Sequence, residues 1–510
     1  MTALIIHGHF YQPPRENPWT GIVEAEPSAA PFHDWNERIH FECYQPNAFS
    51  RIAEPATGKE RIVNNYADIS FNFGPTLLSW LEQNHPDTYA RVIDADRESA
   101  RIRGGHGNAI AQAYGHAILP LCNERDRQTQ IRWGIEDFSY RFGRDPEAMW
   151  LPETACNDSV MGALIDEGLR FVILAPHQAA RVRALGETEW RDVNEQSLDT
   201  SVAYRYSHRD SSGRSIAVFF YDGPASRAIA FETLLRSSGE LIDRLVQSVK
   251  GAGHLVNVAT DGETYGHHFK FGEICLAHAL ELEAPGRGFA ITNYGEYLDR
   301  QPPSLEVEID GGPDGEGTSW SCPHGVARWI RDCDCHTGGE GGWNQAWRTP
   351  LRQALDLLRD EGAARFEETH GNLFIDPWQA RDDSITLILH QHHSREQFLY
   401  DHAGRWLTAD EQWRALAFLE MQRMALLTYT SCGWFFHDIS GIETIQNLKY
   451  AGRAIDLMEQ LDLPPVRDRF LEILAEAKSN RSELGNGADI YRRFVEPVRS
   501  RQTSQEALTT

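Results

Sequence analysis

The chain has 510 residues, 41% hydrophobic and 24% charged, the ordinary balance of a globular protein. Its formal net charge of −25, from 49 Lys+Arg against 74 Asp+Glu, repels phosphate backbones and anionic lipids, so neither nucleic acid nor a membrane is an expected partner. No apolar run approaches the roughly 20 residues of a membrane helix, and no basic segment with an apolar core opens the chain, so a cytoplasmic protein is expected.

A single core rarely grows past about 250–300 residues, which predicts one large domain and one smaller one. Short apolar runs recur through the first 300 residues: Leu4-Ile5-Ile6, Ile69-Ser-Phe-Asn-Phe73, Phe171-Val-Ile-Leu174, Ile216-Ala-Val-Phe-Phe220 and Leu255-Val-Asn-Val-Ala259. Such runs fit strands buried on both faces of a parallel sheet. Helical patterns lie between them, at Thr76 to Val92 and Ser159 to Glu167, so residues 1–300 read as an α/β domain. Residues 301–345 are rich in Gly and Pro and read as a connecting segment. From 346 to 510 the helical period dominates: Leu351, Leu355 and Leu358; Trp413, Leu416, Leu419 and Met424; Leu448, Ala451, Ile455 and Met458. This part reads as an α-helical C-terminal domain with a polar tail from about Arg499.

Five clusters carry chemistry. His7-Gly-His9-Phe-Tyr-Gln12-Pro13 follows the first apolar run, where strand ends of α/β folds line ligand sites. Its histidines suit substrate hydroxyls or a metal, or they are hydrogen-bonded loop residues. Trp150-Leu-Pro-Glu153 sets an indole, a good surface for sugar C–H faces, three residues before a carboxylate; the alternative is a surface Glu beside a core Trp. Thr260-Asp261-Gly-Glu263-Thr-Tyr-Gly-His267-His268 follows the strand at Leu255, and its density of ionisable groups is costly to bury without a purpose. Glu153 and Asp261 each lie near a different strand end. A barrel could join them as the carboxylate pair that glycoside cleavage needs. Cys322-Pro-His324 with Cys333-Asp-Cys335-His336 offers metal ligands, though its spacing matches no C-x₂-C pair, and packing in a Gly-rich loop is the alternative. No cofactor is expected; a metal at Cys322, Cys333 and Cys335 would be structural. The other cysteines, Cys43, Cys122, Cys156, Cys275 and Cys432, stand singly and read as reduced small hydrophobes. Ser431-Cys-Gly-Trp434-Phe-Phe-His-Asp438 suits a lid or sugar-binding wall, or domain packing. His390, His392 and His393 have no distinct metal spacing and are unassigned.

Taken in order, these segments resemble glycoside hydrolase family 57. His7-x-His9-x-x-Gln12-Pro13 is similar to the family's first region with two residues inserted, and Gly107-Asn108 through His116 and Leu121 to the second. Trp150-Leu-Pro-Glu153 is similar to the third and Asp261-Gly-Glu263-Thr-Tyr-Gly266-His267 to the fourth. Gly433-Trp434-Phe435 through Ala451 resembles the fifth more weakly. The resemblance implies a (β/α)7-type barrel followed by a mostly α-helical C-terminal domain, no metal requirement, and retention of configuration on α-linked glucans. It implies Glu153 as nucleophile and Asp261 as general acid/base. His7, His9, Gln12, His116, Glu263 and His267 would hold an oligosaccharide or polysaccharide substrate, with Trp150 and Trp434 stacking on sugars. Two other readings stand beside it. One is a zinc-dependent polysaccharide deacetylase or α-mannosidase-like hydrolase with His7, His9 and Asp261 as ligands. The other is a non-catalytic glycan-binding protein. Hydrolysis against transglycosylation, linkage, chain length and oligomeric state are not legible in the sequence.

Overall fold

The structure is a computed structural model that describes residues 1–53, 58–249, 254–389 and 394–499. The His390–His393 tract therefore lies outside the described residues. The chain forms two compact units. The first comprises residues 1–12, 25–113 and 138–320; the second comprises 13–24, 114–137 and 321–510.

The first unit is built on seven parallel strands. In chain order they are β1 (Thr2–Phe10), β2 (Ser70–Phe73), β3 (Ala111–Gln112), β4 (Met149–Trp150), β5 (Phe171–Leu174), β6 (Ser215–Phe220) and β7 (Leu255–Asp261). β1 pairs with β7 on one side and β2 on the other. Bridges Phe71–Ala109 and Ala148–Phe171 and the β3–β4 and β5–β6 pairs carry the parallel path onward. Just past β6, Asp222 N–H donates to Asn257 O of β7 at 2.8 Å. The Asn257 amide reinforces this seam by reaching Phe220 O at 3.2 Å and Thr200 O at 2.9 Å. Leu4, Ile5, Val172, Leu174, Val218 and Val258 are wholly buried, as the unbroken apolar runs require of strands covered on both faces.

Several elements depart from the sequence reading. β3 and β4 are two-residue strands and carry no apolar run to mark them. The helix expected over Thr76 to Val92 is two helices, Pro75–Asn84 and Pro86–Ile102, because Pro86 lacks the N–H to continue the first and suits the opening turn of the second. The division at 301–345 also shifts. Leu305–Ile309 is a strand of an outer sheet in the first unit, paired with Ala203–Ser207 and Ala179–Ala184. Residues to 320 belong with the barrel, while 13–24 and 114–137 belong with the helical unit.

The second unit is helical. Its long helices, Arg348–Glu367, Ala409–Leu427 and Ile442–Gln460, bury most of the periodic apolar positions read from the sequence, among them Leu351, Leu355, Met424, Leu448 and Ile455, but Trp413 is exposed and Leu416 half-buried. Thr408 caps the second of these in a reciprocal box with Glu411. No helix among the described residues is long and apolar enough to cross a membrane.

Candidate active site

The C-terminal ends of the seven strands carry the ionisable residues. β1 and β7 set His9 beside Asp261, and β1 and β2 set His9 beside Asn72, so Asn72, His9 and Asp261 form one row. On the neighbouring pair, Gln112 stands opposite Trp150. Three residues beyond Trp150 the chain turns sharply at Glu153.

That turn is strained. Glu153 has φ 60° and ψ 20°, and Thr154 has φ 49°. Consecutive left-handed residues, one of them β-branched, persist only where their surroundings over-determine them. Gln178, fully buried, is one such constraint: its Oε1 accepts from Thr154 Oγ1 at 2.9 Å and from Ala175 N–H at 2.8 Å, and its Nε2 donates to Thr154 O at 2.8 Å. Trp320 is another. Its backbone N–H donates to Glu153 O at 3.0 Å, and its indole Nε1–H donates to Glu153 Oε2 at 3.0 Å. The same ring meets Trp150 edge-on at 5.2 Å.

Asp261 ends β7 as the exposed residue of an otherwise buried strand, yet enough protein surrounds its carboxyl to desolvate it. Burial and the negative charge of Glu153 push its carboxyl up to about 7. The two carboxyls therefore sense one another, and Asp261 holds its proton close to neutrality. Gly262 follows directly because a Cβ there would lie 2.3 Å from the Phe10 ring. Glu263 is buried, its Oε1 accepting from Tyr44 OH at 2.6 Å and Tyr11 N–H at 3.2 Å, and burial pushes its carboxyl up to about 8.

The histidines occupy two different settings. His7 is fully buried, Nδ1 bonded to Ser70 Oγ at 3.0 Å and Nε2 to Asn72 Oδ1 at 3.1 Å, and burial lowers its pKa to about 3. Asn72 Nδ2 donates to His9 Nδ1 at 2.9 Å and to Gln112 Oε1 at 2.8 Å. Because the amide oxygen must accept from His7 and the amide nitrogen must donate to His9, Asn72 sets the tautomers: His7 carries its proton on Nε2, and neutral His9 does likewise. Both rings stack on Trp150, at 4.8 and 5.1 Å. Gln12 is half-buried just past β1. His267 is part-exposed, with Nδ1 paired to Glu42 and its ring edge-on to Trp35.

Six of the residues expected to touch sugar are buried: His7, His9, His116, Trp150, Glu263 and Trp434. His7 has both ring nitrogens bonded to protein partners, which takes one of the three ligands from the zinc reading built on His7, His9 and Asp261. Trp150 is 0% exposed and presents no free face, so it acts as a wall for the histidines. His116 and Trp434 belong to the helical unit. There Trp434 is 1% exposed, stacked on Tyr429, and His116, at φ 53°, bonds Ser431 Oγ at 2.7 Å. Trp434 has no open ring for a sugar.

Asn72, Gln178, Tyr44 and Trp320 were not singled out as site residues from the sequence. Asn72 left a signal, an amide within an otherwise apolar strand run. Trp320 left none, since nothing local ties it to a carboxylate 167 residues away. A cavity of about 750 Å³ lined by Leu169, Arg170, Ser215, Asp299 and Pro302 lies where β5 and β6 begin, away from the carboxylates.

Comparison with known proteins agrees with this fold. The structure of an exo-type maltose-forming amylase from Pyrococcus sp. ST04 is similar to this chain with a TM-score of 0.70 at 15% identity, covering 99% of this chain and 94% of that one. A branching enzyme from Pyrococcus horikoshii is similar with a TM-score of 0.51 at 14% identity, covering 98% and 96%. In sequence, 260 residues are 20% identical to a 4-alpha-glucanotransferase of Thermococcus litoralis, covering 50% of this chain and 36% of that protein. A further 108-residue match, 28% identical, joins 21% of this chain to 15% of alpha-amylase 1 of Dictyoglomus thermophilum, so the chain spans well under half the length of these relatives. Residues 343–507 match a domain of unknown function, DUF3536. Residues 5–308, more than half the chain and nearly all of the barrel unit, match the pattern of glycosyl hydrolase family 57, and the chain belongs to that family.

Proposed function

We propose that this protein cleaves or transfers α-linked glucans by double displacement, with Glu153 as nucleophile and Asp261 as general acid/base. The observation that carries the reading is the state of Asp261, whose carboxyl is raised to about 7 by burial and by the negative charge of Glu153, so that it is poised to give and take a proton near neutrality. Glu153 Oε attacks the anomeric carbon. The bond to the leaving oxygen breaks as Asp261 delivers its proton there. In the second half, a water or an acceptor sugar hydroxyl gives its proton to Asp261 and attacks the anomeric carbon, releasing Glu153. Trp320 keeps Glu153 in place through both of its N–H groups. The Asn72-set tautomer of His9 puts an N–H on Nε2 of the residue registered against Asp261. The α-glucan substrate class is suggested by the amylase, glucanotransferase and branching-enzyme relatives.

The test is turnover of maltooligosaccharides by wild type, Glu153→Ala and Asp261→Ala, with the anomer of the first product read by NMR. Retention in the wild type, loss in both variants, and rescue of Glu153→Ala by azide as an inverted glycosyl azide are expected. Inversion in the wild type, or full turnover in either variant, would remove the assignment.

A further inference from the structure

We propose that Cys322, His324, Cys333 and Cys335 form a structural zinc site in the helical unit. The Cys322 sulfur lies 3.9 Å from that of Cys333 and 3.8 Å from that of Cys335, and Cys335 Sγ lies 3.5 Å from His324 Nδ1. All four ligand atoms fall within 4.8 Å of one another. A tetrahedral zinc with Zn–S near 2.3 Å and Zn–N near 2.0–2.1 Å has S···S edges of about 3.8 Å and S···N edges of about 3.6 Å. Three of the six edges therefore match that polyhedron, and the other three are no longer than 4.8 Å. The sulfurs are too far apart for a disulfide, which needs about 2.05 Å, and all three cysteines are free.

The surroundings fit an anionic centre. Zinc with three thiolates and a neutral imidazole carries a net charge of about −1. Arg328 and Arg348 are buried, at 6% and 0% exposure, and among the described residues neither forms an ion pair with a carboxylate. Nε and Nη1 of both lack a hydrogen-bond partner. Arg348 is near enough to Cys322, Cys333 and Asp332 to feel their charge, and Arg328 is near Cys335. Arg348 Nη2 donates to Phe436 O at 3.2 Å and Arg328 lies over Phe435 at 4.2 Å, but buried guanidinium N–H groups left unpaired are costly, and a neighbouring anion offsets that cost. His336 is not among the four residues whose ligand atoms cluster, and its Nδ1 bonds Gly338 O at 2.6 Å.

Three sulfurs and one nitrogen fill all four positions, which selects zinc in a structural role. The segment from Ser321 to Trp347 contains one short helical turn, Ala327–Trp329, as its only regular element among the described residues. Binding would tie its two halves together ahead of the helix Arg348–Glu367.

The experiment uses the full-length protein without an affinity tag, expressed with added zinc and analysed by elemental mass spectrometry. About one zinc per chain is expected. Cys335→Ser and His324→Ala are expected to lose at least nine-tenths of it, and His336→Ala to keep it. Should the ligand variants misfold, the wild type decides: after chelator treatment, Co²⁺ alone should give the intense visible bands of tetrahedral thiolate cobalt, and Zn²⁺ should shield three cysteines from alkylation. A wild type that takes up neither metal, equal alkylation with and without Zn²⁺, metal loss in His336→Ala, or a disulfide among the three cysteines would overturn the site.

Discussion

The left-handed backbone at Glu153 makes a prediction in which two substitutions reverse their usual order. Glu153→Ala and Glu153→Gly both delete the carboxylate and its bond from the Trp320 indole. They differ by one methyl group at a residue with φ 60° and ψ 20°. In ordinary backbone, glycine is the less stable of the two by about 0.5–1 kcal/mol, since it loses more chain entropy on folding. In the left-handed region an L side chain costs about 1–2 kcal/mol that glycine avoids. Setting one against the other leaves Glu153→Gly more stable than Glu153→Ala by roughly 1 kcal/mol. The assay is urea denaturation of both variants, followed by tryptophan fluorescence and compared within the same transition, because two compact units need not unfold together. A Glu153→Ala protein equal to or more stable than Glu153→Gly would refute the claim that the nucleophile's backbone is strained. It would also undo the positioning role given to Gln178 and Trp320.

Three further outcomes follow from the same geometry. Trp320→Phe keeps an aromatic ring against Trp150 but removes the indole N–H from Glu153; a hydrogen bond to a charged group is worth about 1.5–3 kcal/mol, so kcat/KM should fall by roughly 10–100-fold with the unfolding midpoint little changed. Asp261, raised to about 7 in part by Glu153, should ionise at lower pH in Glu153→Gln, seen as a downfield movement of its carboxyl ¹³C resonance at lower pH than in the wild type; an unmoved midpoint would mean the two groups do not interact. Glu263 has a folded-state pKa of about 8 against an ordinary 4.5, so the folded chain binds the extra proton and stability declines as pH rises between those values, by at most about 5 kcal/mol. Glu263→Gln retains an oxygen for Tyr44 and should flatten that decline in a melting series from pH 4 to 9.

Much of this molecule was legible before any coordinates. Buried parallel strands demand unbroken apolar runs, so β1, β2, β5, β6 and β7 announced themselves, and the residues just past β1 and β7 were legible as site candidates. The long helices of the second unit declared their buried faces by period alone. Glu153 and Asp261 stood out because ionisable groups at strand ends are expensive to bury without a purpose.

Other features depend on residues far apart in the chain meeting in space. β3 and β4 are two residues each and hold their place through neighbours. Trp150 reads as a platform in sequence, yet His7 and His9 cover it, since burial is decided by what packs against a ring and not by its type. The ends of the linker were misjudged for the same reason: Trp320 lies in a Gly-rich stretch whose composition suggests loop, and its partner Glu153 is supplied by β4's turn. The cysteine segment shows the division most clearly. Its spacing matched no common zinc pattern, because ligand spacing along a chain constrains a site only when the intervening turn is standard. Here the turn at Ala327–Trp329 brings Cys333 and Cys335 back to Cys322 and His324. Composition and periodicity determine which segments are strands, helices and candidate sites; which side chains face one another across the fold, and therefore which can share a proton or a metal, is decided by packing alone.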